Sequence, residues 1–224
     1  MSEWWTYSLS DFLMFSARTY YRQFALMNRE LWPLPLLGLA LGALILACML
    51  RKRPAGQGIA FALAALAWLW VGWNYHLQRY AHINMAAPYL AGGFFLQAGL
   101  LAWMAWKRPA EAAVDGAAAW AAAAGVLLAL AAYPLLAALE GRDWWQAEVV
   151  FMAPDPTVAA TLAILLHWRA RWPFWVIPLL WCAASTATLS ALRSPHAWVP
   201  AAFALPAAGG ALMMWAAART KRTA

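Results

Sequence analysis

The sequence predicts an all-α fold: a polytopic membrane bundle of seven spans, or six plus a re-entrant half-helix, preceded by an N-terminal amphipathic helix in the membrane interface. Three observations predict it. Hydrophobic residues make up 65% of the chain and charged residues 11%, where a soluble domain carries roughly a quarter charged. The apolar residues gather in seven runs, most of them near the length of about 20 residues that crosses a bilayer. Lys and Arg fall in short clusters flanking those runs, which is the pattern of topology determinants.

Residues 1–32 hold too many polar groups to span and form an interfacial segment; residues 33–224 form the bundle. From Ala17 to Leu31, helical spacing of 100° per residue gathers Tyr20, Phe24, Met27 and Leu31 on one side and puts Arg18, Arg22 and Arg29 opposite. That pattern belongs to a helix lying on a membrane surface. Ser16 suits its N-cap, and Pro33 and Pro35 end it and begin the first span.

The apolar runs cover about 33–50, 59–79, 87–106, 117–139, 156–168, 173–192 and 197–218. The fifth is the weakest, because T-V-A-A-T-L-A-I-L-L-H-W is only a dozen residues. It spans only with help from V-V-F-M-A before Pro154, and is otherwise a half-helix. Pro156 suits the first position of its helix, with Asp155 as the cap before it.

With the N-terminus outside, ten Lys and Arg residues fall on the inner side: Arg51, Lys52, Arg53, Lys107, Arg108, Arg169, Arg171, Arg219, Lys221 and Arg222. The outer side holds six: Arg18, Arg22, Arg29, Arg79, Arg142 and Arg193. The acidic residues Glu3, Asp11, Glu30, Glu140, Asp143, Glu148 and Asp155 lie outside as well. A seven-span chain, N-terminus out and C-terminus in, therefore satisfies the positive-inside rule at every loop. Six spans would place the final R-T-K-R on the outer side.

Composition also excludes. The net charge of +7 is spread over run ends rather than gathered into a nucleic-acid face. Cys48 and Cys182 sit in separate apolar runs and read as small buried hydrophobes. Glu3 and the late first apolar run, at Pro33, give no pattern of a cleaved signal. G-x-S-x-G, H-E-x-x-H, Walker A and G-x-G-x-x-G are absent, so no cofactor is expected. No lysine lies within a span, against a retinal Schiff base.

The stretch Trp73 to Asn84, W-N-Y-H-L-Q-R-Y-A-H-I-N, crowds polar groups into the end of an apolar run. Such a cluster in a membrane helix marks a functional site by default. Helical spacing puts His76, Arg79 and Tyr80 on one face, and His82 follows before the turn near Pro88. On the same outer side lies E-G-R-D-W-W-Q-A-E-V-V-F-M-A-P-D-P-T, which contributes Glu148 and Asp155. His76, Arg79, Tyr80, His82, Glu148 and Asp155 are thus the candidate ligand-binding residues. Arg79 and the helix start at Pro156 would hold an anionic group while a histidine or carboxylate exchanges a proton. The two histidines and two carboxylates would suit a divalent cation only if they converge, and no metal is assigned. Ser185, Thr186, Thr188 and Ser190 read as groups that bond back to their helix, and His167 and His196 as structural.

The opening M-S-E-W-W-T-Y-S-L-S-D-F-L-M-F-S, the central Y-H-L-Q-R-Y-A-H-I-N-M-A-A-P-Y and A-P-D-P-T-V-A-A-T-L resemble a bacterial family of small multi-spanning membrane proteins of unknown function. Its members are sometimes labelled permeases or major-facilitator-like. The resemblance runs end to end and implies that the amphipathic segment, the Arg79 region and the Pro154 to Thr157 turn belong to one recurring design. It brings no established activity. The chain is expected in a bacterial inner membrane, in contact with the bilayer and with a small solute or a membrane partner, another copy included.

Three functions follow as expectations. The first is a permease or small-solute binding protein, the solute anionic, with an outer-leaflet pocket. The second is a structural or accessory subunit of a larger membrane complex. The third is a metal-dependent or lipid-modifying membrane enzyme.

Overall fold

The computed structural model describes residues 15–51, 55–107 and 113–223. The opening motif as far as Met14, with Glu3 and Asp11, and the basic residues Lys52, Arg53 and Arg108 lie outside the described residues. Eight α-helices form the described chain: α1 (Ala17–Glu30), α2 (Leu34–Arg51), α3 (Gly56–Trp70), α4 (Ala87–Lys107), α5 (Gly116–Leu139), α6 (Pro154–His167), α7 (Val176–Ala191) and α8 (Val199–Thr223). Five segments are long and apolar enough to cross a membrane: Leu34–Arg51, Gly56–His82, Ala87–Lys107, Gly116–Leu139 and Trp172–Ala191. Their outward faces expose Leu36, Leu37, Leu66, Leu69, Leu96 and Leu128. Water would penalise so much contiguous apolar surface; lipid does not.

The fifth and seventh runs are shorter. The apolar part of α8 is Val199–Met213, and α6 has 14 residues, about 21 Å at 1.5 Å per residue. Every residue of α6 except Leu166 is buried, because the helix is enclosed by α5, α8, α7, α3 and α2. A helix surrounded on all sides needs no polar face. At its far end the His167 carbonyl accepts from the Val114 amide at 2.8 Å, so α6 runs antiparallel to α5 and reaches the level where α5 begins.

The start of α6 differs from expectation. Ala153 is the cap residue, and Pro154 and Pro156 both lie in the first turn, where a missing N–H costs nothing because those amides have no partner within the helix. Asp155 is therefore inside the helix rather than capping it, and its carboxylate turns to α7. Thr157 organises the turn instead, accepting from the Phe151 amide at 3.0 Å and donating to the Ala153 carbonyl at 2.7 Å. Phe151 has φ 71°, a left-handed conformation that a bulky residue holds only when its surroundings enforce it.

This turn needs a close neighbour in α2. A Cβ placed on Gly38 would sit 2.5 Å from the Val150 carbonyl oxygen and 3.2 Å from the Phe151 Cβ. Gly38→Ala is thus expected to lower stability by about 1–3 kcal/mol, as overpacking against backbone does. Thermal unfolding of the purified variant measures it, and an unchanged midpoint would show that the turn moves freely.

The helix α1 behaves as its periodicity predicts, with additions. Ser16 caps it, accepting from the Thr19 amide at 3.3 Å, and Tyr20, Phe24 and Met27 are buried while Arg18, Arg22 and Arg29 are exposed. Tyr21 and Asn28 are buried too. Asn28 donates to the Trp145 and Ala147 carbonyls at 2.8 Å each, and Phe24 stacks on Tyr75 at 5.3 Å. α1 therefore packs its aromatic face onto the end of the bundle where α3 and α5 finish.

After Trp70, α3 widens into a π-helix over Val71–Leu77, followed by a 3-10 turn at Tyr80–His82. Bonding from i to i+5 holds an extra residue per turn. The spacing of 100° per residue then fails, and Asn74, Tyr75 and His76 are buried in succession while Trp73 faces out.

Candidate functional site

The predicted residues divide into two groups. His76 is fully buried and neither ring nitrogen has a hydrogen-bond partner. Its ring lies 4.4 Å from Phe94, 5.1 Å from Trp181 and 6.0 Å from Tyr80 between centroids. Tyr80 is buried against Tyr75, the rings stacked at 5.3 Å. Arg79 turns away from both. Its guanidinium donates to Glu30 Oε2 at 2.8 Å, to the Asn74 carbonyl at 2.9 Å and to the Asn74 side chain. His82 is exposed. The shared face expected for His76, Arg79 and Tyr80 is broken by the π-helix, and Arg79 does not pair with Glu148 or Asp155.

Those two acids lie deep. Asp155 is 3% exposed and accepts from Trp181 Nε1 and Ser185 Oγ, both at 2.7 Å. Trp181 thereby joins the His76 ring to the Asp155 carboxylate. Glu148, on the connection between α5 and α6, is 2% exposed, and its Oε2 has no partner. Burial is the main reason that its carboxyl is raised from the ordinary 4.5 to about 8; the charge of Asp155 adds to this and Arg142 opposes it. Tyr133 in α5 is buried too, with its hydroxyl unpartnered.

A third group centres on His196. His196, in the connection between α7 and α8, is 3% exposed. Its Nδ1 bonds Glu140 Oε1, and its Nε2 lies 3.8 Å from Glu148 Oε1 and 3.3 Å from the Tyr21 hydroxyl. Ser194 Oγ is 3.1 Å from Nδ1 and 2.9 Å from the Tyr21 hydroxyl. Arg142 holds the other oxygen of Glu140 at 2.8 Å and lies over the Tyr21 ring at 3.9 Å. His196 ties α1, the end of α5 and the Glu148 connection together.

The result is an acidic interior beneath α1, with its basic partners at the edge. Among the described residues no group of three or more His, Cys, Asp or Glu side chains is arranged to hold a metal ion.

No curated protein and no solved structure matches the chain. Residues 17–223 match DUF6064, described as a family of unknown function, and the chain belongs to that family.

Proposed function

We propose that the protein is a membrane permease for a small solute, with Glu148 and Asp155 as the solute-binding acids. One observation carries this reading: two almost wholly buried carboxylates share an apolar bundle, and among the described residues neither is paired with a Lys or Arg. A buried charge without a counter-ion is costly unless it is protonated or meets a cationic guest. The anionic solute expected from Arg79 loses its support, since Glu30 and Asn74 occupy that guanidinium. The solute class that fits is a small ammonium or another hydrogen-bond donor, exchanging with protons.

We place the chain in a bacterial inner membrane with seven passes, N-terminus out and C-terminus in. The distribution of Lys and Arg supports this orientation, and a short α6 is admissible because its neighbours, not lipid, surround it.

The test is uptake of methylammonium into proteoliposomes under an imposed pH gradient. Wild-type vesicles are expected to accumulate it and Asp155→Asn vesicles to fall to the rate of empty liposomes. Equal rates in wild-type, Asp155→Asn and empty vesicles would reject the reading.

A second reading, a subunit of a larger membrane complex, is favoured by an open apolar groove lined by Leu66, Leu69, Trp70, Trp73 and Phe95. It requires a partner that co-purifies in stoichiometric amount in mild detergent.

A further inference from the structure

The contacts around His196 form a graded path. Side-chain exposure falls from 14% at Glu140 through 4% at His196 to 2% at Glu148. The imidazole lies between the two carboxylates, with one nitrogen toward each. Imidazole is the side chain best suited to take a proton on one nitrogen and release another from its opposite nitrogen near neutral pH.

We propose that His196 carries protons between the rim of the bundle and its interior, accepting at Nδ1 from Glu140 and delivering from Nε2 to Glu148. This rests on Glu148 being a working group of the pocket. The Glu140 O–H bond breaks as Nδ1–H forms, giving an imidazolium; the Nε2–H bond then breaks as the O–H of Glu148 forms, and the ring is neutral again. The 3.8 Å gap to Glu148 is about 1 Å longer than a hydrogen bond, so the transfer requires the Glu148 carboxyl to move toward the ring.

One transfer leaves the ring as its other tautomer, and the neighbours supply the reset. Ser194 Oγ lies 3.1 Å from Nδ1, the Tyr21 hydroxyl 2.9 Å from Ser194, and Nε2 3.3 Å from Tyr21. The two hydroxyls thus link both ring nitrogens in a closed circuit. A proton passes from Nδ1 to Ser194 as the hydroxyl proton of Ser194 moves to Tyr21 and that of Tyr21 to Nε2. No bond beyond O–H and N–H changes.

Among the described residues, these ionisable groups neighbour the ring or the acids it faces. Glu140 and Arg142 come from the end of α5, Glu148 from the next connection and Tyr21 from α1. Asp155, from α6, is the other acid of that interior. Arg142 keeps Glu140 in place and its positive charge faces the relay at the rim.

The experiment is a pH jump on the purified full-length protein in detergent, followed by time-resolved infrared absorption of protonated carboxyls. The Glu148 band is identified by its loss in Glu148→Gln. In His196→Gln the band is expected to reach the wild-type final amplitude roughly a hundredfold more slowly, the scale of a lost proton-transfer group. Glu140→Gln, whose amide oxygen still accepts from Arg142, is expected to slow it likewise and serves if the His196 variant does not fold. A band that responds at the wild-type rate in either variant overturns the relay. No solute enters this measurement, so the relay can fail while the permease reading passes its methylammonium test, and the reverse.

Discussion

Asp155→Ala should lower the thermal midpoint by roughly 6–12 °C. The carboxylate is the acceptor for two buried donors, Trp181 Nε1 and Ser185 Oγ, each at 2.7 Å. Removing an acceptor while leaving its donors buried costs the desolvation of those donors, about 1–3 kcal/mol for each unpaired group. The indole is the more costly of the two, because the serine hydroxyl can rotate toward a carbonyl of its own helix. A total of about 3 kcal/mol corresponds to that shift for a chain of this size. Asp155→Asn retains the shape but turns an NH2 toward one of the donors, so it should recover only part of the loss. A cycle with Trp181→Phe isolates the indole bond, which should contribute about 1–2 kcal/mol of coupling. Additive effects in that cycle would mean that the bond from Trp181 to Asp155 adds nothing to stability.

Much of the architecture was legible because membrane segments announce themselves by length and apolarity. The runs at 33–50, 87–106 and 117–139 became α2, α4 and α5 with ends shifted by a residue or so. The buried stripe of α1 followed from helical spacing, and its Ser16 cap from residue type. Where spacing failed, the backbone had changed. The π-helix at Val71–Leu77 has no sequence signature in this chain, so Arg79 was assigned a face that it does not share with His76. At α6, prolines at 154 and 156 both suit a first turn, and the earlier one starts the helix. The His196 constellation was invisible for another reason. Tyr21 is 173 residues from Ser194 and 175 from His196, and only tertiary packing brings such groups together.

Glu148 makes stability depend on pH in a direction opposite to that of most acids. Its folded carboxyl is raised from 4.5 to about 8 by burial first and by Asp155 second, so between those values the folded state binds more proton than the unfolded one. Stability is full below about pH 4.5 and declines as pH rises through the window toward 8, at up to about 1.4 kcal/mol per pH unit. Arg142 opposes the shift and Glu140 reinforces it, so neither changes its sign. Glu148→Gln, neutral at every pH, is expected to flatten this decline. Thermal midpoints measured from pH 5 to pH 8 check the point, and parallel curves for wild type and variant would show that Glu148 remains ionised throughout.

The enclosure of α6 has a consequence for how the chain enters its membrane. Asp155, Thr157, Thr161 and His167 are all carried by this one segment, and an aspartate alone opposes helix insertion by as much as about 3 kcal/mol at mid-depth. The carboxylate of Asp155 meets Trp181 and Ser185 only once α7, which follows α6 in the chain, is in place.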